Sequence, residues 1–312
     1  MKKAASFALG CKVNQYESEA IAELFAEKGY EIVGIDEEAD VYVINTCTVT
    51  NFGDKKSRQL IRKVKRQNEN AIVAVVGCYA QTAPKELMEI AGVNLVIGTK
   101  DRAQIVEMVE QYDRANGVEN HVSDIMKERV FEPLSIQKLA NRTRAYLKIQ
   151  DGCSQYCSYC IIPYARGPIR SREPQEVVAE VKRLAENGFK EVVLTGIHVA
   201  SYGKDRRDTS LLDILKQVHE VEGIERIRFS SIEPNVVTEE FAQTMAALPK
   251  VCDHFHLSLQ SGCDTTLERM NRRYRSAEYK ARCELLRKYF GNPALTTDVI
   301  VGFPMETEED FQ

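Results

Sequence analysis

Short solid apolar runs alternate along this chain with stretches in which apolar positions recur every three or four residues, a pattern that predicts alternating strands and helices. Phe7 to Gly10 reads as a strand, and Glu17 to Lys28 carries Ile21, Leu24 and Phe25 at helical spacing until Gly29 stops it. Val41-Tyr42-Val43-Ile44 reads as a buried strand, 54–67 as a helix, Ile72 to Val76 and Leu95-Val96-Ile97 as further strands, and about 101–111 as a closing helix. Over residues 1–125 this predicts an α/β domain built on an open, doubly wound parallel sheet.

The polar, aperiodic stretch that follows places a linker at 126–141. A second alternation fills 142–312. Strands are expected at Tyr146 to Ile149, Val192 to Leu194, Ile227 to Ser230, His254 to Leu259 and Leu295 to Val301, with helices at 174–187, 211–218, 238–247 and 276–289. Repeated βα units of this kind predict a parallel barrel or half-barrel whose site lies at the C-terminal strand ends.

Composition narrows the chemistry. No apolar run approaches the roughly 18 residues of a membrane-spanning helix, and the stretch ending at Leu9 is short for a signal peptide, so the chain reads as cytoplasmic, with no membrane partner. A net charge of −4 gives no whole-molecule attraction to nucleic acid and leaves only a local patch for that role. The 9 cysteines are an odd number in a chain read as cytoplasmic, which points to metal or redox chemistry rather than disulfides.

The cysteines form three groups. Cys11, Cys47 and Cys78 each follow a predicted strand, so a parallel sheet brings all three to one edge, where ligands bind in open α/β folds. The alternative is three buried core cysteines. Cys153, Cys157 and Cys160 crowd one loop after the first strand of the second domain, spacing that suits an iron–sulfur cluster with one iron left open. A structural zinc is the rival there, with His198, His254 or His256 as fourth ligand. Cys252, Cys263 and Cys283 show no ligand spacing and read as bystanders.

Cys-x3-Cys-x2-Cys with Tyr159 before the last cysteine resembles the radical S-adenosylmethionine signature. The stretch Leu9-Gly10-Cys11-Lys12-Val13-Asn14-Gln15-Tyr16-Glu17-Ser18-Glu19 resembles the methylthiotransferase family. Within it, Asn45-Thr46-Cys47-Thr48-Val49-Thr50 and Lys56-Ser57-Arg58-Gln59 resemble the branch acting on threonylcarbamoyladenosine in tRNA. The ribosomal-protein branch carries Pro-Lys-Asn where this chain has Lys12-Val13-Asn14, and the isopentenyladenosine branch differs after Asn-Thr-Cys. The resemblance covers essentially the whole chain.

It implies an N-terminal open-sheet domain followed by an incomplete radical SAM (β/α)6 partial barrel. It also implies two 4Fe-4S clusters, one on Cys153, Cys157 and Cys160 that binds S-adenosylmethionine and an auxiliary one on Cys11, Cys47 and Cys78. Tyr159, Thr195, Gly196, Ile197, Ser231, Glu233, Gln260 and Arg273 are the implied S-adenosylmethionine contacts. The implied reaction removes hydrogen from C2 of the adenine through a 5′-deoxyadenosyl radical, delivers sulfur from the auxiliary cluster and methylates it with a second S-adenosylmethionine. The implied partners are tRNA and an electron donor such as flavodoxin or ferredoxin, with a monomeric enzyme.

Lys55, Lys56, Arg58, Arg62, Lys63, Lys65 and Arg66 put seven positive charges and no acid into twelve residues of a predicted helix, a stripe suited to phosphate contact or simply to a solvated face. Arg142, Arg144, Arg166, Arg170 and Arg172 form a second expected patch, and Tyr156, Tyr159 and Tyr164 offer stacking surfaces for a base taken out of its stack. Two departures from the family stand out. Met305 in Gly302-Phe303-Pro304-Met305-Glu306-Thr307 occupies a position where the family has glycine. The family's sixth barrel strand and small β-rich RNA-binding (TRAM) domain do not occur within the 312 residues, so an open, aggregation-prone edge after the Leu295 strand and weak or absent tRNA modification by this form are expected.

Overall fold

The first sheet is wholly parallel, which forces every connection to cross over one of its faces. Its strands are β1 (Lys3–Ala8), β2 (Glu31–Ile32), β3 (Val41–Thr46), β4 (Ile72–Gly77), β5 (Leu95–Ile97) and β6 (Glu119–Asn120), in the order β2-β1-β3-β4-β5-β6. The structure, a computed structural model, describes residues 1–48, 51–136 and 144–312. Helices α1 (Lys12–Glu27), α2 (Asn51–Gln67), α3 (Cys78–Thr82), α4 (Pro84–Met88) and α5 (Ile105–Gln111) make the connections. Ile21 and Phe25 of α1 and Ile105 and Val109 of α5 pack with Val41, Val43, Ala74 and Val76 on one face. Ile61 and Val64 of α2, Tyr79 and Leu87 pack with Tyr42, Ile44, Val73 and Val75 on the other. Covering on both faces explains why β3 and β4 read as solid apolar runs although their side chains alternate. The chain runs outward from β1 to β2 and then doubles back to β3, and the C-terminal ends of β1 and β3 flank that switch point.

The expected strand at Phe7 to Gly10 is β1 at Lys3–Ala8, and α1 begins at Lys12 rather than Glu17. Gly10, at φ +100°, turns the chain between them, and the buried polar residues Asn14 and Glu17 interrupt the apolar stripe that would have signalled the first turns. The expected linker also differs. Ile125, Leu134 and Ile136 are buried, and the Tyr16 hydroxyl donates to Leu134 O at 2.6 Å. Packing therefore divides the chain into Met1–Ala140 with Ile161–Pro168 and Asn141–Cys160 with Ile169–Gln312, rather than at 125 and 142. Helix α6 (Ile162–Arg166) accordingly packs in the first unit, against α3. Residues 137–143, including Arg142, lie outside the described residues, as do Val49 and Thr50.

The second unit opens with β7 (Arg144–Asp151), joined by β8 (Arg170–Ser171), β9 (Glu191–Gly196) and β10 (Arg226–Phe229) in the order β10-β9-β7-β8, with only β8 antiparallel. A three-stranded parallel sheet follows, β11 (Ser231–Ile232), β12 (His254–Leu257) and β13 (Ala294–Thr296). The single strand expected at Ile227 to Ser230 bends at Ser230, so that β10 pairs with β9 and β11 pairs with β12, carrying the chain from one sheet to the next. Helices α7 (Pro174–Glu186), α8 (Leu211–His219), α9 (Glu239–Ala246) and α11 (Ser276–Phe290) match expectation, α12 (Glu308–Phe311) lies where a helix opening at Glu306-Thr307-Glu308-Glu309 is expected, and α10 (Asp264–Arg269) is additional. The last expected strand is shorter, ending at Thr296, with an isolated bridge from Gln260 to Val299 beyond it.

Candidate metal centres

In the first unit, Cys11 follows the turn after β1, Cys47 follows β3 directly and Cys78 follows β4 directly. Two glycines let these strand ends approach one another closely. A Cβ on Gly10 would lie 2.6 Å from both Cβ and Sγ of Cys47, and one on Gly77, at φ +94°, would lie 2.3 Å from Asn45 Oδ1. Only glycine tolerates both the left-handed backbone and the close approach. Asn14 ties the two strand ends together, its side-chain amide donating to Leu9 O and Thr46 O at 2.8 Å each. Cys47 and Cys78 are buried and Cys11 is exposed. Burial pushes the Cys78 thiol up to about 11; Arg166 opposes the rise and a charge on Cys11 adds to it.

Arg166 is fully buried against this triad. Its Nε donates to Cys78 Sγ at 3.2 Å, its Nη1 and Nη2 donate to the Glu17 carboxylate at 2.6 and 3.0 Å, and Nη2 also donates to Asn14 Oδ1 at 2.6 Å. Glu17 is shared with Arg102 Nη1 at 2.6 Å, and Arg102 in turn binds Glu132 through Nε at 2.9 Å. The charges alternate through the interior, as buried ions must if each is to be compensated.

In the second unit, Cys153, Cys157 and Cys160 follow β7 on one loop, all partly buried. Burial is the main cause that raises the Cys153 thiol to about 11, and charges on Cys160 and Cys157 add to it. Tyr156 holds φ +52°, and its carbonyl accepts from Asn271 Nδ2 at 2.8 Å. Ser158 is clasped twice, its amide donating to Met270 O at 3.1 Å and its hydroxyl to Arg269 O at 2.7 Å. The end of α10 thus holds the cysteine loop. Arg272 Nη1 donates to Cys157 Sγ at 3.4 Å, and its Nη2 lies 3.8 Å from Glu233 Oε1. Glu233 also faces His198 Nε2 at 3.3 Å and accepts from Gln155 Nε2 at 3.1 Å. Burial opposes its ionisation, but His198, Arg272 and Lys204 outweigh that and hold its carboxyl below the usual range.

The other expected contacts are distributed unevenly. Thr195 and Glu233 are buried, Gly196, Ile197 and Gln260 are half-buried, and Ser231 is exposed. Tyr159 packs edge-on against Phe303 with ring centroids 6.2 Å apart. Arg273 points to the exposed surface, and its neighbour Arg272 reaches the loop instead. Strand-end reasoning missed Arg272, Arg166 and Asn14, although Asn14 and Glu17 sit three apart on the buried face of α1, a spacing that lets both reach one buried partner. The rings of His198 and His256, considered as zinc ligands, sit between Ser201 and Glu233 and between Thr296 and Asp298.

The second arginine patch is corrected. Arg166, Arg170 and Arg172 are only 0%, 2% and 3% exposed, because Arg170 pairs with Asp151 at 3.6 Å and Arg172 with Glu180 at 2.6 Å. The α2 stripe is largely a surface. Lys55, Lys56, Arg58, Arg62, Lys63 and Arg66 are exposed, while Lys65 is half-buried and donates to Glu69 O at 2.7 Å and Ala71 O at 2.9 Å. Arg58 pairs with Glu86 at 2.9 Å, and Lys63 pairs with Asp36. Arg62, Lys63, Lys65 and Arg66 line an open groove of about 740 Å³.

A parallel βα unit that carries Cys-x3-Cys-x2-Cys at the end of its first strand belongs to the radical SAM class of enzymes, and the model of the Radical SAM superfamily matches residues 147–312. The model of uncharacterized protein family UPF0004 matches residues 3–98. The chain is 49% identical over 312 residues to threonylcarbamoyladenosine tRNA methylthiotransferase MtaB of Bacillus subtilis, covering 100% of this chain and 69% of that protein. It is 42% identical to the protein of the same name from Aquifex aeolicus, covering 99% and 75%. It is 37% identical to tRNA-2-methylthio-N(6)-dimethylallyladenosine synthase of Dictyoglomus thermophilum, covering 97% and 69%. This chain belongs to the family of radical S-adenosylmethionine methylthiotransferases. Its fold is shared with the radical S-adenosylmethionine methyltransferase TsrM of Kitasatospora setae at a TM-score of 0.66 and 16% identity, over 96% of this chain and 67% of that one. The family's cofactors are S-adenosylmethionine and two 4Fe-4S clusters. Their donor chemistry fits: each group offers three soft thiols, with a buried or half-buried guanidinium against one sulfur to compensate an anionic cluster, while among the described residues no three such side chains are gathered closely enough to hold a metal ion as they stand.

Proposed function

We propose that this chain modifies tRNA, adding a methylthio group at C2 of N6-threonylcarbamoyladenosine next to the anticodon. The observation that carries the reading is the 49% identity, across the whole chain, to a protein named for that substrate, against 37% to one named for the dimethylallyl analogue. Cys153, Cys157 and Cys160 hold the cluster that binds S-adenosylmethionine, and Cys11, Cys47 and Cys78 hold the auxiliary cluster. When bound, these cofactors supply the radical and sulfur-transfer chemistry that ordinary side chains lack at a ring C–H bond.

The chain's own residues position and insulate. Asn14, Gly10 and Gly77 draw the first triad together, and the α10 end clasps the second. Thr195, Gly196, Ile197, Ser231, Glu233, Gln260 and Tyr159 line the strand ends where S-adenosylmethionine docks, with Arg272 beside them in place of Arg273. The exposed cations of α2 meet the tRNA backbone, a contact set by charge rather than by base sequence. A flavodoxin or ferredoxin supplies electrons, and the enzyme works as a cytoplasmic monomer.

Nucleoside mass spectrometry of tRNA from a strain lacking this gene tests the substrate. The 2-methylthio derivative of threonylcarbamoyladenosine should vanish while its unthiolated parent accumulates. Loss of the dimethylallyl analogue instead would transfer the assignment to that branch.

A further inference from the structure

Arg166 lies outside every cysteine motif, yet its side chain ends a row of alternating charges, half-buried Glu132 and then buried Arg102, Glu17 and Arg166, at the sulfur of Cys78. The guanidinium presents its donors in a fixed planar fork. Glu17 and Asn14 take the two terminal nitrogens, which directs the remaining Nε–H at Cys78 Sγ, 3.2 Å away. Glu17 is itself paired with Arg102 Nη1 at 2.6 Å, so it cannot follow a rotation of the fork without breaking that second buried pair. A guanidinium keeps its proton under all ordinary conditions, so this sulfur faces a permanent positive donor.

We propose that Arg166 is a positioning residue for the auxiliary cluster: it orients Cys78 and, by donating to its sulfur, raises the reduction potential of the cluster bound there. The inference rests on the reading of Cys78 as a ligand. Hydrogen bonds and positive charge at a ligating sulfur favour the more negative, reduced state of an iron–sulfur centre. Removing them should therefore make reduction harder.

The experiment is a redox titration followed by electron paramagnetic resonance. It uses the full chain with Cys153, Cys157 and Cys160 changed to Ala, so that only the auxiliary cluster is reconstituted. Arg166→Gln should retain iron and shift its reduction equilibrium at least tenfold toward the oxidised state, about 59 mV more negative for a one-electron couple. Arg166→Lys should fall between the two. An unchanged potential at full iron content would overturn the proposal and leave Arg166 a structural residue. Because Arg166→Gln leaves part of the Glu17 charge uncompensated, the double variant Glu17→Gln with Arg166→Gln provides a second arm with the same expectation. A third arm needs no substitution at Arg166: with ¹⁵N-labelled arginine, pulsed spectroscopy of the reduced cluster should detect one coupled guanidinium nitrogen, and its absence would also overturn the proposal. Cys78→Ala separates the two readings. Retention of the auxiliary cluster's full iron in that variant would refute Cys78 as a ligand, whereas loss of iron there with an unchanged Arg166→Gln potential would refute only the role of Arg166.

Discussion

Two residues with left-handed backbones show opposite relations between side chain and turn. Gly10, at φ +100°, has no room for a Cβ because Cys47 is already there. Gly10→Ala should therefore destabilise the protein by about 1–3 kcal/mol and lower the iron retained by the first triad. Gly29→Ala is the control: its φ is +84°, but nothing lies within 4 Å of the added atom, so iron content should stay as in the unsubstituted chain. Met305 occupies a turn at φ +66° while carrying an exposed side chain. Met305→Gly relieves a left-handed penalty of roughly 1–2 kcal/mol, offset by the larger unfolded-state freedom of glycine, and a net gain of about 0.5–1 kcal/mol in urea unfolding is expected. Met305→Ala keeps the Cβ and should give no such gain. At this scale the sequence announces cysteines and glycines well, because their positions after strands are readable from pattern. It does not announce Arg166 or Arg272, since an arginine buried by distant partners has the same local sequence as an exposed one. Arg272 and Arg273 are adjacent, and only packing decides which reaches the loop.

Helices α1 and α2 illustrate the same limit for elements. The apolar spacing of α2 at Ile61 and Val64 is plain, whereas the first turns of α1 face a polar interior and escape a hydrophobic reading. Short elements such as α6 and α10 carry too few apolar positions to register a period, yet α10 clasps the second triad. The exposed charges of α2 predict a binding phenotype. Replacing Lys55, Arg62 and Arg66 with Gln should leave the helix intact, weaken tRNA binding, and reduce the dependence of log affinity on log salt by about one unit for each phosphate no longer neutralised. An unchanged salt slope would make the stripe a solvated face. The segment after β6 gives a pH prediction. Burial opposes ionisation of Glu128, but Lys100, at 2.6 Å, and the amides of Val130 and Arg129 outweigh it and hold its pKa at about 2. A carboxyl depressed in the folded state adds stability that is complete above its unfolded value near 4.5 and is lost as the pH falls toward 2. Glu128→Gln should therefore flatten the acid limb of the stability profile across that window and lower stability at neutral pH.

For the molecule as a whole, the doubly wound sheet and the βα repeats of the second unit are legible from the alternation of strand and helix periods. The bend at Ser230 that divides the second unit's strands between two sheets is not, because Ile227 to Ser230 reads as a single strand with no glycine or proline to mark where it ends. Nor is the return of Ile161–Pro168 to the first unit, which depends on packing between segments remote in sequence. Each unit carries three cysteines after the C-terminal ends of its parallel strands, and the proposed function requires these to be two separate cluster sites. Iron content and S-adenosylmethionine cleavage after anaerobic reconstitution measure this directly, in the unsubstituted chain and in two triple variants, Cys11, Cys47 and Cys78 to Ala and Cys153, Cys157 and Cys160 to Ala. About eight irons per chain should fall to about four in either variant, as expected for two Cys-ligated 4Fe-4S clusters. Cleavage should survive the first triple substitution and disappear with the second. Full iron in either variant, or cleavage that persists without Cys153, Cys157 and Cys160, would contradict it.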